Sequence, residues 1–238
     1  MPLYSALQAG CIGVEADVWL FDDELYVGHT TSSLTEHLTL QSMYINPLVT
    51  ILERQNPTIK FNQGGDNPAH GVFDTDPAQT LILLIDFKTA GPATWDAVTR
   101  QLAPLRDRGY LTHFNGDEVI QGPVTIVGTG NTPFNLVIAN TTYRDIFFDA
   151  PLDKLVEAEQ PGNNPQLDAA LFPGADLGQG QSGMPTTVTA STFNASNSFY
   201  ASVSFKKSIG HPWPFHFTQR QIGPHPQPGA RCAPARPE

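Results

Sequence analysis

The chain has 238 residues, a formal net charge of −10 at pH 7, 40% hydrophobic and 15% charged residues. That length suits one large domain, an α/β barrel taking about 250 residues, and the composition is globular rather than disordered. The acidity argues against non-specific nucleic-acid binding, but it leaves room for a small anionic substrate, because a bound cation inverts the local field.

Ser5 to Ala9 reads as the end of a helix stopped by Gly10. Cys11 to Leu20 reads as a strand, with Cys11 a buried small hydrophobe in an apolar run. Leu25 to Val27 is a second short strand, joined through the acidic turn Asp22-Asp23-Glu24. Asn46-Pro47 marks a helix start, Asn as cap and Pro in the first turn, and Leu48, Ile51 and Leu52 carry the helix to Gln55. Asn56 to Gln79 is rich in Gly, Pro, Asn and Asp and reads as a loop.

Leu81 to Phe87 is a continuous apolar run with one acid near its end, the pattern of a buried parallel strand. Trp95, Val98, Leu102 and Leu105 recur at helical spacing, with a kink or break expected at Pro104 and a stop at Gly109. Leu111 to Ile120 resembles a hairpin around Asn115-Gly116. Strands follow at Val124 to Val127, Asp145 to Phe148 and Tyr200 to Phe205.

Beyond residue 210 the chain is proline-rich and lacks periodic apolar residues, so an irregular tail over 211–238 is expected after a domain over 1–210. Cys11 and Cys232 match no zinc spacing and make no disulfide framework. No transmembrane run and no signal peptide are visible, and no protein partner is evident. Two sequons, Asn140-Thr141-Thr142 and Asn194-Ala195-Ser196, would permit glycosylation on the secretory route; the compartment is otherwise unassigned.

Three segments carry chemistry. In Gly13-Val14-Glu15-Ala16-Asp17-Val18, strand alternation puts Glu15 and Asp17 on one face and Val14, Ala16 and Val18 on the other. Two neighbouring inward carboxylates repel unless a cation lies between them; the alternative is an exposed edge strand with two solvated acids. In Leu84-Ile85-Asp86-Phe87-Lys88-Thr89, Asp86 and Lys88 share a face at the end of a buried strand. The acid can complete a metal site and the lysine can hold a phosphate oxygen, or the two can form an internal ion pair. His29, after Val27-Gly28, is a proton donor or acceptor in one reading and a satisfied loop residue in the other. His37 and His70 read as surface residues, and His113, His211, His216 and His225 take no role. Alternating strands and helices indicate α/β, and a closed barrel fits the length.

Taken in order, these segments resemble the phospholipase-C-like barrels of the glycerophosphodiester phosphodiesterase and sphingomyelinase D group. They are most similar to the fungal altered inheritance of mitochondria protein 6 family. The residues that carry the resemblance are Pro2 to Leu7, Gly10-Cys11, Val14 to Leu20, Leu25 to His29 and Tyr44 to Leu48. Asp86 to Thr89, Pro104 to Tyr110 and Phe199 to Ser202 continue it.

The resemblance implies a TIM-type (β/α)8 barrel. It implies a divalent metal, Mg²⁺ rather than Ca²⁺, on Glu15, Asp17 and Asp86, with Lys88 on the phosphate and His29 as one of two catalytic histidines. The implied activity is hydrolysis of a lipid phosphodiester, a glycerophosphodiester or lysophospholipid. The alternatives are a catalytically dead barrel remnant that binds metal or an anionic head group, and a phosphatidylinositol-specific phospholipase C. The family's first strand, with its first histidine, has no counterpart here, and the match stops after Gly210. The expectation is therefore an incomplete barrel, nearly inactive as it stands and restored by upstream extension.

Overall fold

The computed structural model describes residues 2–57, 68–152, 184 and 190–202. The chain divides into two units, Met1–Ser202 and Val203–Glu238. The second lies outside the described residues, and with it the expected irregular tail, His211, His216, His225 and the end of the strand expected to reach Phe205.

The first unit opens with a short helix α1 (Pro2–Gln8) and then β1 (Gly13–Phe21) and β2 (Glu24–Val27). The hairpin between these strands turns on Asp22 and Asp23, both in the left-handed region at φ 47° and 67°, where Asp is among the few non-glycine residues tolerated. A π-helical turn over Gln41–Ile45 runs directly into α2 (Asn46–Gln55). The helical backbone thus begins before Asn46, and Asn46 is not the expected cap: Ile45 and Asn46 both have right-handed helical torsions and no side chain caps the start. Pro47 still lies in the first turn of α2.

β3 (Leu81–Phe87) is followed by α3 (Gly91–Gln101) and α4 (Ala103–Arg106), the break falling beside Pro104 as its missing N–H requires. The hairpin around Asn115-Gly116 pairs β4 (His113–Phe114) with β5 (Val119–Ile120). Then come β6 (Val124–Gly130), α5 (Phe134–Val137), β7 (Ile146–Pro151) and β8 (Ser198–Ser202).

Six strands form one sheet in the order β2-β1-β3-β6-β7-β8, parallel throughout except for the β1–β2 hairpin. β3 shows why: Leu81, Leu83, Ile85 and Phe87 are buried, while Ile82, Leu84 and Asp86 on the other face are half-buried. The buried face, with Ala16 and Val18 of β1, packs against Leu3, Leu48, Leu52, Val98, Leu102 and Leu105 from the helices in one core. Burying each such side chain contributes about 1.5–3 kcal/mol before chain entropy is counted.

The α/β class with a mostly parallel sheet is as expected; among the described residues the sheet is open, with β2 and β8 as its edges, and the TIM-type barrel stays an expectation. One expectation is corrected. Cys11 is exposed rather than buried. The strand begins only at Gly13, after Gly10 turns the chain at φ 77°, so Cys11 and Ile12 precede it.

Candidate metal centre

The parallel pairing of β1 and β3 places Asp17 opposite Asp86, and Glu15 opposite Leu84. Because strand parity sends Ala16, Val18, Ile85 and Phe87 into the helix-facing core, all three acids emerge on the other face. One oxygen from each of Glu15, Asp17 and Asp86 lies within 4.8 Å of the others. Oxygen ligands sit about 2.0–2.6 Å from Mg²⁺ or Ca²⁺, so three carboxylates at this separation can share one ion. Lys88 follows from β3 and donates to both Asp17, at 2.8 Å, and Asp86. Three carboxylates against one ammonium leave the cluster two negative charges in excess. A divalent cation fits this donor set in charge and in hardness.

The electrostatics follow from this crowding. Loss of hydration, then the charges of Asp17 and Asp86, push the Glu15 carboxyl above its ordinary value. Glu15 is open to solvent on one side, so water screens part of that rise. Burial likewise raises the Asp86 carboxyl, against the opposing bond and charge of Lys88. Burial alone would depress the Lys88 ammonium, but its bonds to Asp17 and Asp86 hold it above the usual lysine value.

His29 is exposed and stands close enough to Glu15 for its charge to favour the Glu15 carboxylate. Gly28 fixes its position: the Gly28 N–H donates to the Asp17 carbonyl at 3.1 Å, and the Gly28 carbonyl accepts from Trp19 Nε1 at 2.7 Å. His37 and His70 are exposed. His113 stacks on Tyr143, in the loop that precedes β7.

Four neighbours of the site did not stand out in the sequence. The Tyr44 hydroxyl, buried at the end of the π-helical turn, donates to the Glu15 backbone carbonyl at 2.8 Å; desolvation, then Asp17 and Glu15, raise its pKa. Thr129 is the register partner of Asp86 on β6, and its hydroxyl donates to Asp149 Oδ2 at 3.0 Å. Asp149 itself is 1% exposed, beside a register irregularity in the β7–β8 pairing. It also accepts from the Ser202 hydroxyl at 2.7 Å, and its Oδ1 has no hydrogen-bond partner among the described residues. Gly130 completes the set, its backbone pressed against the Asp86 carboxylate. The strand Phe147-Phe148-Asp149 repeats the pattern of Leu84-Ile85-Asp86, an acid near the end of a buried strand; that pattern is the signal by which Asp149 could have been found.

Residues 1–149 match the model of the AIM6-like phosphodiesterase domain. The chain is 50% identical over 151 residues to the altered inheritance of mitochondria protein 6 homolog of Arthroderma benhamiae, an alignment covering 63% of this chain and 47% of that one. It is 41% identical over 173 residues to altered inheritance of mitochondria protein 6 of Lachancea thermotolerans (66% and 39%). To that of Saccharomyces cerevisiae it is 35% identical over 167 residues (64% and 42%). The chain therefore spans less than half the length of these relatives. No solved structure matches it. The acid cluster, the lysine and the histidine all lie inside the matched segment, and the chain belongs to the AIM6-like phosphodiesterase family.

Proposed function

We propose that this domain is a metal-dependent phosphoric diester hydrolase whose site is the mouth formed by β1 and β3. Glu15, Asp17 and Asp86 hold one divalent cation, Mg²⁺ in preference to Ca²⁺, and the substrate is a lipid-derived phosphodiester such as a glycerophosphodiester or lysophospholipid. The carrying observation is the convergence of three carboxylates within 4.8 Å toward the carboxy-terminal end of the parallel β1–β3 ladder, the end at which barrel enzymes build their sites. The rest of a TIM-type barrel belongs to this reading as an expectation.

A bound cation supplies positive charge beside a phosphate oxygen. The protein's own groups do the remaining work. Lys88, anchored by Asp17 and Asp86, presents a fixed ammonium to a second phosphate oxygen. His29, at the solvent edge beside Glu15, can exchange a proton with the attacking or leaving oxygen. The small set of charges directed at one point orients an anionic head group while the lipid portion stays outside.

One observation favours a second reading. Lys88 already bridges two of the three acids, so the ammonium can be the cluster's own cation, in a module that binds an anionic head group without turnover. Calorimetric titration with Mg²⁺, followed by an assay on glycerophosphocholine and lysophosphatidylcholine, separates the two. Binding that is lost in Glu15→Ala and Asp86→Ala, together with hydrolysis, supports the enzyme; absence of Mg²⁺ binding in the folded chain leaves the second reading.

A further inference from the structure

Both sequons lie at one place in the fold, where the chain enters β7 and β8, on the side of the strand order remote from β1 and β3, which carry the acids. Asn140 lies in the loop before β7, and Asn194 lies just before β8, so both precede the amino-terminal ends of parallel strands. Asp86 stands near the carboxy-terminal end of β3, with Asp17 as its register partner. Arg144 ties the two sequons together: its Nη1 donates to the Asn140 carbonyl at 3.1 Å, its Nη2 to Ser196 Oγ at 3.0 Å, and its Nε to the Ser196 carbonyl at 3.1 Å.

The same local turn is built twice. Asn140 Oδ1 accepts from the Thr142 N–H at 2.9 Å, the Thr142 hydroxyl at 3.0 Å and the Tyr143 N–H at 3.0 Å. Asn194 Oδ1 accepts from the Ser196 N–H at 2.9 Å and the Ser196 hydroxyl at 2.7 Å. In each case the hydroxyl residue of the sequon polarises the amide oxygen, and both asparagines are exposed. None of these bonds uses Nδ2, and both Nδ2 groups lack partners among the described residues. A substituent on either nitrogen would therefore break no hydrogen bond of the fold and would extend into solvent.

We propose that Asn140 and Asn194 are paired N-glycan acceptors, set at the β7–β8 side of the sheet, away from the acid cluster on β1 and β3. The donor class is a polyprenyl-diphosphate-linked oligosaccharide. Nδ2 forms a bond to the anomeric carbon of the first sugar, the bond from that carbon to the phosphate oxygen breaks, and the lipid diphosphate leaves. One Nδ2 proton passes to a base of the transferase. The bulk so added stands clear of the mouth, so the modification and the acid cluster operate independently.

The test expresses the full chain behind a cleavable secretory leader in a yeast host and reads only chains whose leader has been removed, since these have met the transferase. Intact mass should show two glycan increments, one lost in Asn140→Gln and the other in Asn194→Gln. Thr142→Ala should lose the first, while Thr142→Ser, which keeps the hydroxyl and the turn, should retain it. Enzymatic deglycosylation should leave Mg²⁺ affinity unchanged. A leaderless, folded chain unmodified at either asparagine overturns the paired site. A several-fold change in Mg²⁺ affinity on deglycosylation overturns its separation from the acids.

Discussion

Gly130 and Asp86 are in direct contact: a Cβ on Gly130 would overlap the Asp86 carboxylate and crowd the Phe87 backbone. Gly130 also has φ 63°, a torsion that side chains disfavour. The turn after β6 therefore sets where the third acid of the cluster can lie.

Gly130→Ala should weaken Mg²⁺ binding as well as lower stability. Gly109 is the control, because it has φ 68° with nothing within 4 Å of a built Cβ. Gly109→Ala should cost only the torsional strain, about 1–3 kcal/mol, with Mg²⁺ affinity intact. Urea denaturation and calorimetry on both variants check the difference; equal effects of the two substitutions would show that the contact with Asp86 does not matter.

Binding of Mg²⁺ should fall with acidity sooner than ordinary carboxylates would allow. Glu15 and Asp86 titrate above their usual values, about 3.9–4.3 for free carboxylates, and protons compete with the cation for them. The sign for stability follows the same shifts. A raised carboxyl contributes stability that is full below its unfolded pKa and lost as pH rises through its folded pKa. The metal-free chain is thus disfavoured by these groups near neutrality, where a bound cation would offset the repulsion. The rise in Tm on adding Mg²⁺, about 2.7 kcal/mol of stabilisation at 100 times Kd, should be larger at pH 7 than at pH 5.

Asp149 gives a pH effect of its own. Burial is the main cause that raises its carboxyl, opposed by the Ser202 and Thr129 bonds. Asp149→Asn keeps the shape and an acceptor for both hydroxyls while removing the buried charge. The variant should match the wild type in acid, below the unfolded carboxylate range, and gain stability over it as pH rises through the raised value. Thermal melts from pH 4 to pH 8 decide it. A variant less stable at pH 8 would mean that the bonds from Ser202 and Thr129 outweigh the cost of burying the charge.

His29→Asn should leave the Mg²⁺-induced shift in Tm unchanged, since His29 lies beside the acid cluster and outside it. Turnover of glycerophosphodiester should fall by about 10²–10⁴-fold, the usual loss for one positioned proton-transfer group. Unaltered kcat with raised KM would reassign His29 to substrate binding.

The strands and the acid cluster were legible because period-2 alternation acts locally. Glu15 and Asp17 are separated from Ala16 and Val18 by parity alone, and Asp86 interrupts an otherwise apolar strand. Tyr44 and Gly130 were not legible as site residues, because each reaches the acids through tertiary contacts, one by a hydroxyl on a carbonyl of β1 and the other by a bare Cα beside β3. Asp149 lies past the strand end expected at Phe148, because β7 runs on to Pro151. Closure of the sheet into a barrel is not legible, because neither length nor alternation within a strand reports which strand edges pair.

The in-register pairing of Asp17 with Asp86 means that the width of the proposed metal site is inherited from the backbone ladder. Adjacent strands lie about 4.8 Å apart in any sheet, and no side-chain substitution alters that pitch. What mutation can tune is the reach of each arm, by one methylene between aspartate and glutamate, and the tilt of its carboxylate. In the proposed site ionic radius would thereby be filtered by an invariant of β structure, and affinity for cations of different size would be left to the arm lengths of three residues.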